Sequence, residues 1–153
     1  MKNRGKDFEH QIEKGLKQID DIEVYRIPDQ MTYMTGSKNP CDYFVYKCPT
    51  LFAIECKSVH GNTLPFSNIS EFQWSELLRM SRVTGIVACV LCWFVDRDCT
   101  KFIPIEVLEE LRQSGKKSIR YDCEDVRVLD IPGKKRRILW DYDFELFFLS
   151  IPY

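Results

Sequence analysis

Apolar and polar positions along this chain follow two rhythms, and each rhythm predicts an element. Phe8, Ile12, Leu16 and Ile19 recur at helical spacing, and Glu13 stands four before Lys17 on the outer side, so residues 3–19 read as an amphipathic helix. Ile22 to Ile27 alternate and predict a strand that Pro28 ends. Residues 29–41 are polar, with Gly36, Ser37, Asn39 and Pro40, and read as a loop. Two apolar runs follow, Tyr43–Tyr46 and Leu51–Ile54, joined by Lys47-Cys48-Pro49-Thr50, which predicts a β-hairpin over 42–57. Residues 58–66 hold His60, Gly61, Asn62 and Pro65 and read as a loop. A helix is expected at 67–82, with Ser67 or Asn68 as its N-cap and Ile69, Phe72, Leu77 and Met80 as its inward stripe. Ile86 to Val95 is an unbroken apolar run, which suits a buried strand at the centre of a sheet. Beyond it the pattern predicts a short strand at 100–103, a helix at 104–113 opened by Pro104 and stopped near Gly115, and strand-like pieces at 118–121 and 126–131. The aromatic tail, Trp140, Tyr142, Phe144, Phe147, Phe148 and Tyr153, is expected to pack into the core.

The 153 residues suit one domain, residues 1–153, and 44% hydrophobic content argues for a folded core rather than disorder. No apolar stretch reaches the length of a membrane span, and the polar start from Met1 to Asp7 has no signal-peptide core, so a cytoplasmic location is expected. Seven cysteines form no framework spacing; Cys89-x-x-Cys92 lies within a strand pattern, where residues three apart face opposite sides, so reduced thiols are expected rather than a zinc site. The formal net charge of −1 gives no overall basic field, yet cations cluster at Lys2, Arg4 and Lys6, at Lys116, Lys117 and Arg120, and at Lys134-Lys135-Arg136-Arg137. Each cluster fits either a solvated loop or a contact to phosphates.

The chemistry lies in the hairpin. Asp42 opens its first strand, and Glu55-Cys56-Lys57 closes its second. Side chains alternate along a strand, so Glu55 and Lys57 share one face while Phe52, Ile54 and Cys56 share the other. A two- or four-residue turn would set Asp42 directly across from Glu55, with Cβ atoms about 5 Å apart. Two carboxylates that close repel unless a cation lies between them, and Mg²⁺ is held by such a pair together with water and phosphate. A surface Glu/Lys pair on a solvated face fits the spacing as well. Gln73 adds an amide on the apolar stripe of the next helix, and a buried amide needs a polar partner, whether backbone or the carboxylates.

The order of these pieces (helix, strand, hairpin carrying D…ExK, helix with an inward Gln, central strand) resembles the PD-(D/E)xK nuclease superfamily. Asn3-Arg4-Gly5, Asp42-Tyr43, Glu55-Cys56-Lys57-Ser58, Leu64-Pro65-Phe66-Ser67-Asn68-Ile69, Gln73 and Lys116-Lys117-Ser118-Ile119-Arg120 are similar to segments of the RecU-type Holliday-junction resolvases, in the same order over nearly the whole chain. The resemblance implies an α/β, restriction-endonuclease-like core with a central mixed β-sheet flanked by helices. It implies a homodimeric endonuclease that resolves four-way DNA junctions by paired nicks. Asp42, Glu55 and the backbone carbonyl of Cys56 would bind Mg²⁺ or Mn²⁺, with Glu9 reaching the metal directly or through water. Lys57 would position or help deprotonate the attacking water, and Gln73 would orient the site. Arg4 and the loop from Gly61 through Ser67 and Asn68 would approach DNA. The basic run Lys134, Lys135, Arg136 and Arg137 is a further DNA-binding candidate on its charge alone, beside the reading as a solvated loop.

Two features depart from the pattern. Cys41 stands where the superfamily motif puts Pro, with Pro40 one place early. Family members also carry a protruding stalk thought to enter the junction centre, and here only Asp29 to Pro40 could supply it, so a shortened or missing stalk is expected. Two other readings stay open: a nuclease of the same superfamily with restriction, repair or flap specificity, and a catalytically silent DNA-binding module.

Overall fold

The computed structural model describes residues 3–29 and 38–152. Helix α1 (Arg4–Leu16) starts where the Asn3 side chain accepts the Lys6 N–H, and it buries Phe8, Ile12, Gly15 and Leu16. It stops one turn short of the expected end, so Ile19 packs from the following turn. Strands β1 (Ile22–Arg26), β2 (Tyr43–Lys47) and β3 (Thr50–Val59) form an antiparallel set. Lys47 pairs with Thr50, so the turn of the hairpin is the two residues Cys48 and Pro49. The expected loop at 58–66 is partly strand: β3 runs on to Val59, and β4 (Thr63–Pro65) follows.

After a 3₁₀ turn over Phe66–Asn68 comes α2 (Glu71–Ser81). Its N-cap is Ser70, not Ser67 or Asn68, because the Ser70 hydroxyl and the Gln73 amide complete a reciprocal capping box. That shift rotates the stripe: Trp74, Leu77 and Met80 turn inward, while Phe72 is 37% exposed. The remaining elements are β5 (Ile86–Phe94), β6 (Cys99–Pro104), α3 (Ile105–Gln113), β7 (Ser118–Arg120), β8 (Leu129–Asp130), β9 (Gly133–Arg136), β10 (Leu139–Tyr142) and α4 (Phe144–Ser150).

The main sheet has the order β1-β2-β3-β5-β6-β8, with β3 and β5 parallel and the other neighbours antiparallel. It is the expected mixed sheet, and β5 lies inside it, buried on both faces. On one face Val45, Phe52, Ile54, Cys56, Leu91 and Trp93 pack with residues of α1 and α4. On the other, Ala53, Ala88, Val90, Cys92 and Phe94 pack with residues of α2 and α3. Cys89 and Cys92 fall on opposite faces, as their spacing predicts. Of the aromatic tail, Tyr142 on β10 and Phe144 and Phe147 on α4 are buried, packed with Phe102, and Trp140 and Phe148 pack partly buried against the same cluster, while Tyr153 lies outside the described residues. Lys134, Lys135 and Arg136 of the basic run are not a loop but lie on a strand, β9, paired with β10 in a separate two-stranded sheet, and Arg137 sits in the turn between the two strands. The stalk expectation falls mainly on residues 30–37, which lie outside the described residues. No helix among the described residues is long and apolar enough to cross a membrane.

Candidate active site

The hairpin register sets the two acids face to face. Tyr43 pairs with Ile54, so one step further along the ladder Asp42 falls opposite Glu55. There the ladder stops, because β3 continues to Val59 while β2 begins at Tyr43. The edge of β3 from Glu55 onward is therefore unpaired by β2, while its other edge stays bonded to β5. Asp42 caps this step: its backbone N–H donates to Ile54 O at 2.9 Å, and its Oδ2 accepts the Cys56 N–H at 2.7 Å. The carboxylate thus replaces the missing ladder partner and is fixed in place by doing so.

Glu55 is buried, and its Oε1 pairs with Lys57 Nζ at 2.8 Å. Among the described residues its Oε2 is buried and finds no hydrogen-bond partner. A buried carboxylate oxygen left unmatched is costly. Burial raises the Glu55 pKa above the usual carboxylate range, while the Lys57 charge and the Gln73 amide pull it back down. Asp42 is pushed up to about 7, first by burial and then by the negative charge of Glu55, with the Cys56 N–H and Lys57 opposing. Each acid is thus held where a second negative charge is unwelcome. These donors, two hard carboxylates and nearby backbone, fit a Mg²⁺-type divalent cation.

The other candidate residues are placed unequally. Glu9 lies within electrostatic range of Asp42; burial and that neighbour raise its pKa. Its carboxylate, however, is engaged by Arg26 Nη2 at 3.2 Å. Among the described residues no group of three His, Cys, Asp or Glu side chains converges to hold an ion, so Glu9 is not brought into direct contact with the pair. Tyr43 fixes that part of α1, its hydroxyl donating to Glu9 O at 3.3 Å. The Cys56 thiol points into the core with Phe52 and Ile54, as the alternation requires, which leaves only its backbone for the site.

Gln73 answers the question of what an amide on that stripe meets. Its Oε1 accepts the Ser70 N–H at 3.4 Å, and its side chain acts on Glu55, favouring the charged form. It is half-buried, and it does both jobs at once. Ser67 and Asn68 are exposed in the 3₁₀ turn that leads into this helix. Arg4 is exposed at the start of α1, close enough to Asp96 to lower the pKa of that acid. The four residues of the basic run are exposed but not equivalent: Lys135 is tied to Asp98 at 2.7 Å and Arg136 to Asp141 at 2.8 Å. No ion pair to Lys134 or Arg137 forms among the described residues.

Sequence reasoning missed what surrounds the end of β3. Asp96 accepts both the Gly61 N–H at 2.6 Å and a hydrogen bond with His60 Nδ1 at 3.1 Å, and Arg97 Nε donates to Asn62 Oδ1. These partners are 35 residues or more apart in the chain, and only the parallel pairing of β3 with β5 unites them.

The mixed sheet with helices on both faces, carrying paired acids where an inner strand outruns its neighbour, defines a restriction-endonuclease-like protein. The solved structure of Archaeoglobus fulgidus Hjc, a Holliday junction resolvase from an archaeal hyperthermophile, has this fold. It matches at a TM-score of 0.56 and 24% identity, over 76% of this chain and 88% of that one. The family model of Recombination protein U matches residues 17–142, and the chain belongs to that family, the RecU Holliday-junction resolvases. It is therefore an endonuclease of recombination. No curated protein matches the sequence.

Proposed function

We propose that Asp42, Glu55 and Lys57 are the active site through which this single nuclease domain, residues 1–153, cuts four-way DNA junctions, working as a homodimer. The observation that carries this reading is the opposed Asp42–Glu55 pair at the open edge of β3, with Lys57 2.8 Å from Glu55. Asp42, Glu55 and the Cys56 carbonyl would hold Mg²⁺ or Mn²⁺. The ion, when bound, supplies positive charge to the scissile phosphate and makes water a better nucleophile. Asp42 and Glu55 would hold that ion at the open edge of β3. Lys57 Nζ, anchored by Glu55 Oε1, presents donors to the attacking water or to a phosphate oxygen and orients it in line with the bond to be cut. Gln73 would steady Glu55 from α2, and Glu9, near Asp42 on α1, would reach the ion directly or through water.

Arg4, Ser67 and Asn68 would approach the DNA near the site, and Lys134 and Arg137 would neutralise phosphates further off. Two nicks related by two-fold symmetry need two copies of a one-site chain, hence the dimer. The test is cleavage of junction, flap, single-stranded and linear duplex DNA with Mg²⁺, with Mn²⁺ and with chelator. The reading expects metal-dependent cutting that favours the junction. Equal rates on linear duplex would leave a general nuclease, and no cutting with either metal would leave a silent DNA-binding module.

A further inference from the structure

We infer that Arg97, with His60 beside it, forms a preorganised seat for a DNA backbone phosphate a short way along the strand from the cut. The inference rests on the nuclease reading above and adds a contact that neither the catalytic pair nor the basic strand supplies.

Two segments are clasped together at the end of the sheet. The turn that leaves β3, His60 to Asn62, meets the 3₁₀ turn that leaves β5, Val95–Arg97. Asp96 holds Gly61 N–H and His60, and Arg97 holds Asn62. Gly61 adopts φ +79, a conformation open to glycine at no steric cost, and nothing lies within 4 Å of where a Cβ would be. Ligand backbone could therefore come close to this turn. The Arg97 guanidinium also lies over the Tyr121 ring, 5.0 Å from its centroid, so its plane is fixed from a second side.

The charge balance singles out Arg97. Of the acids near it among the described residues, Asp98 and Asp122 each have a cation of their own, and Asp96 has donors of its own. Asp96 is held below the usual carboxylate range by the Gly61 N–H first and then by His60. Asp98 is paired with Lys135 at 2.7 Å, and Asp122 with Arg120 at 2.8 Å. Arg97 is exposed, and its hydrogen-bond partner and ring partner, Asn62 and Tyr121, are both neutral. Among the described residues no carboxylate is ion-paired to Arg97, its bonded partners hold it at the surface, and the planar fork of arginine suits a phosphate. His60 Nδ1–H donates to Asp96, so Nε2 can donate to a phosphate oxygen only in the imidazolium form, and the charge of the seat rests on Arg97.

The place also fits. From Glu55 to His60 is five strand residues, at most about 16 Å. From Glu9 to Arg4 along α1 is five helical residues, about 7.5 Å. Both lead from the acid pair toward Asp96, which lies within range of Arg4. A strand laid across Asp42 and Glu55 in that direction would bring a phosphate to Arg97 within about five nucleotides of the scissile bond.

The test uses the full chain in a Glu55→Gln background, which binds without cutting, and a junction in which single phosphates near the cleavage position are replaced in turn by neutral methylphosphonates. Affinity is measured against salt for Arg97→Gln and for Asn62→Ala, which loosens the anchor but keeps the charge. The expected result is one position where neutralising the phosphate weakens binding about tenfold with Arg97 present and not at all in Arg97→Gln. The slope of log affinity against log salt should fall by roughly one in Arg97→Gln. Asn62→Ala should keep the slope and lose part of the affinity. Equal penalties at every position for Arg97→Gln and the parent would overturn the seat. A parent that binds no DNA at any salt would instead overturn the nuclease reading beneath it.

Discussion

Replacing Asp42 with Asn should make the metal-free protein more stable, not less. Two carboxylates about 5 Å apart at an effective dielectric of about 20 repel by roughly 3 kcal/mol. Lys57, paired with Glu55 at 2.8 Å, offsets part of that, which leaves about 2 kcal/mol to be recovered. The amide of Asp42→Asn keeps an oxygen for the Cys56 N–H, now at 2.7 Å, and can turn its NH₂ to Glu55, so no donor is orphaned. The sign with pH follows from the direction of the shift. Asp42 is held up at about 7 in the folded state, so the folded protein keeps a proton that the unfolded chain releases near its ordinary 3.8. Stability of the parent therefore falls as pH rises from about 4 through 7, while that of Asp42→Asn is flatter. Melting in chelator at pH 8 should show Asp42→Asn higher by roughly 4–8 °C, with the gap closing at pH 5. Mg²⁺ should raise the parent and leave the variant almost unmoved. A variant that melts at or below the parent at pH 8, or that gains equally from Mg²⁺, would refute the reasoning.

Lys57→Met should lower cleavage by at least about 100-fold while keeping the Mg²⁺-induced rise in melting temperature, because it removes an orienting group and not a metal ligand. Equal loss of that rise would make Lys57 part of the cation site. Gln73→Glu keeps an acceptor for the Ser70 N–H but sets a third carboxylate against Glu55, so both cleavage and metal-free stability should fall. Gln73→Leu should lose about 1 kcal/mol of stability as well, seen by chemical denaturation, since the capping box is broken. Neutralising Lys134 and Arg137 should flatten the salt dependence of DNA binding by roughly two, and neutralising Lys135 and Arg136 by less, since those two spend their charge on Asp98 and Asp141.

The hairpin was legible because its rules are local. A period of two fixed which of Glu55 and Cys56 faced the site, and the two-residue turn set Asp42 against Glu55. The apolar run Ile86–Val95 could only be an inner strand, and β5 is one. Element ends were less legible. Ser67, Asn68 and Ser70 are all competent caps, and what chose Ser70 was the Gln73 amide three residues on, a reciprocal contact that also turned Trp74 inward. Lys134–Arg136 carry no apolar alternation, so nothing local marked them as a strand; their pairing with Leu139–Tyr142 is set by the other half of the hairpin. Glu9 was placed in the site's neighbourhood by resemblance, but its bond to Arg26 depends on how α1 crosses β1. The clasp of Asp96 and Arg97 on the β3 turn has no trace in sequence, because it is made by tertiary pairing alone.

The central claim is that each chain carries one Asp42–Glu55 site and that two chains act on one junction. It is tested most directly by mixed dimers of the parent with a tagged Glu55→Gln chain, purified by the tag and given a plasmid that extrudes a cruciform, with Mg²⁺. Parent dimers cut both strands and give linear plasmid; Glu55→Gln dimers leave it supercoiled. Mixed dimers should give a nicked, relaxed circle, one strand cut by the one intact site. Linear product from Glu55→Gln dimers would place the active site elsewhere, and linear product from mixed dimers at the parent's rate would mean that one chain makes both cuts.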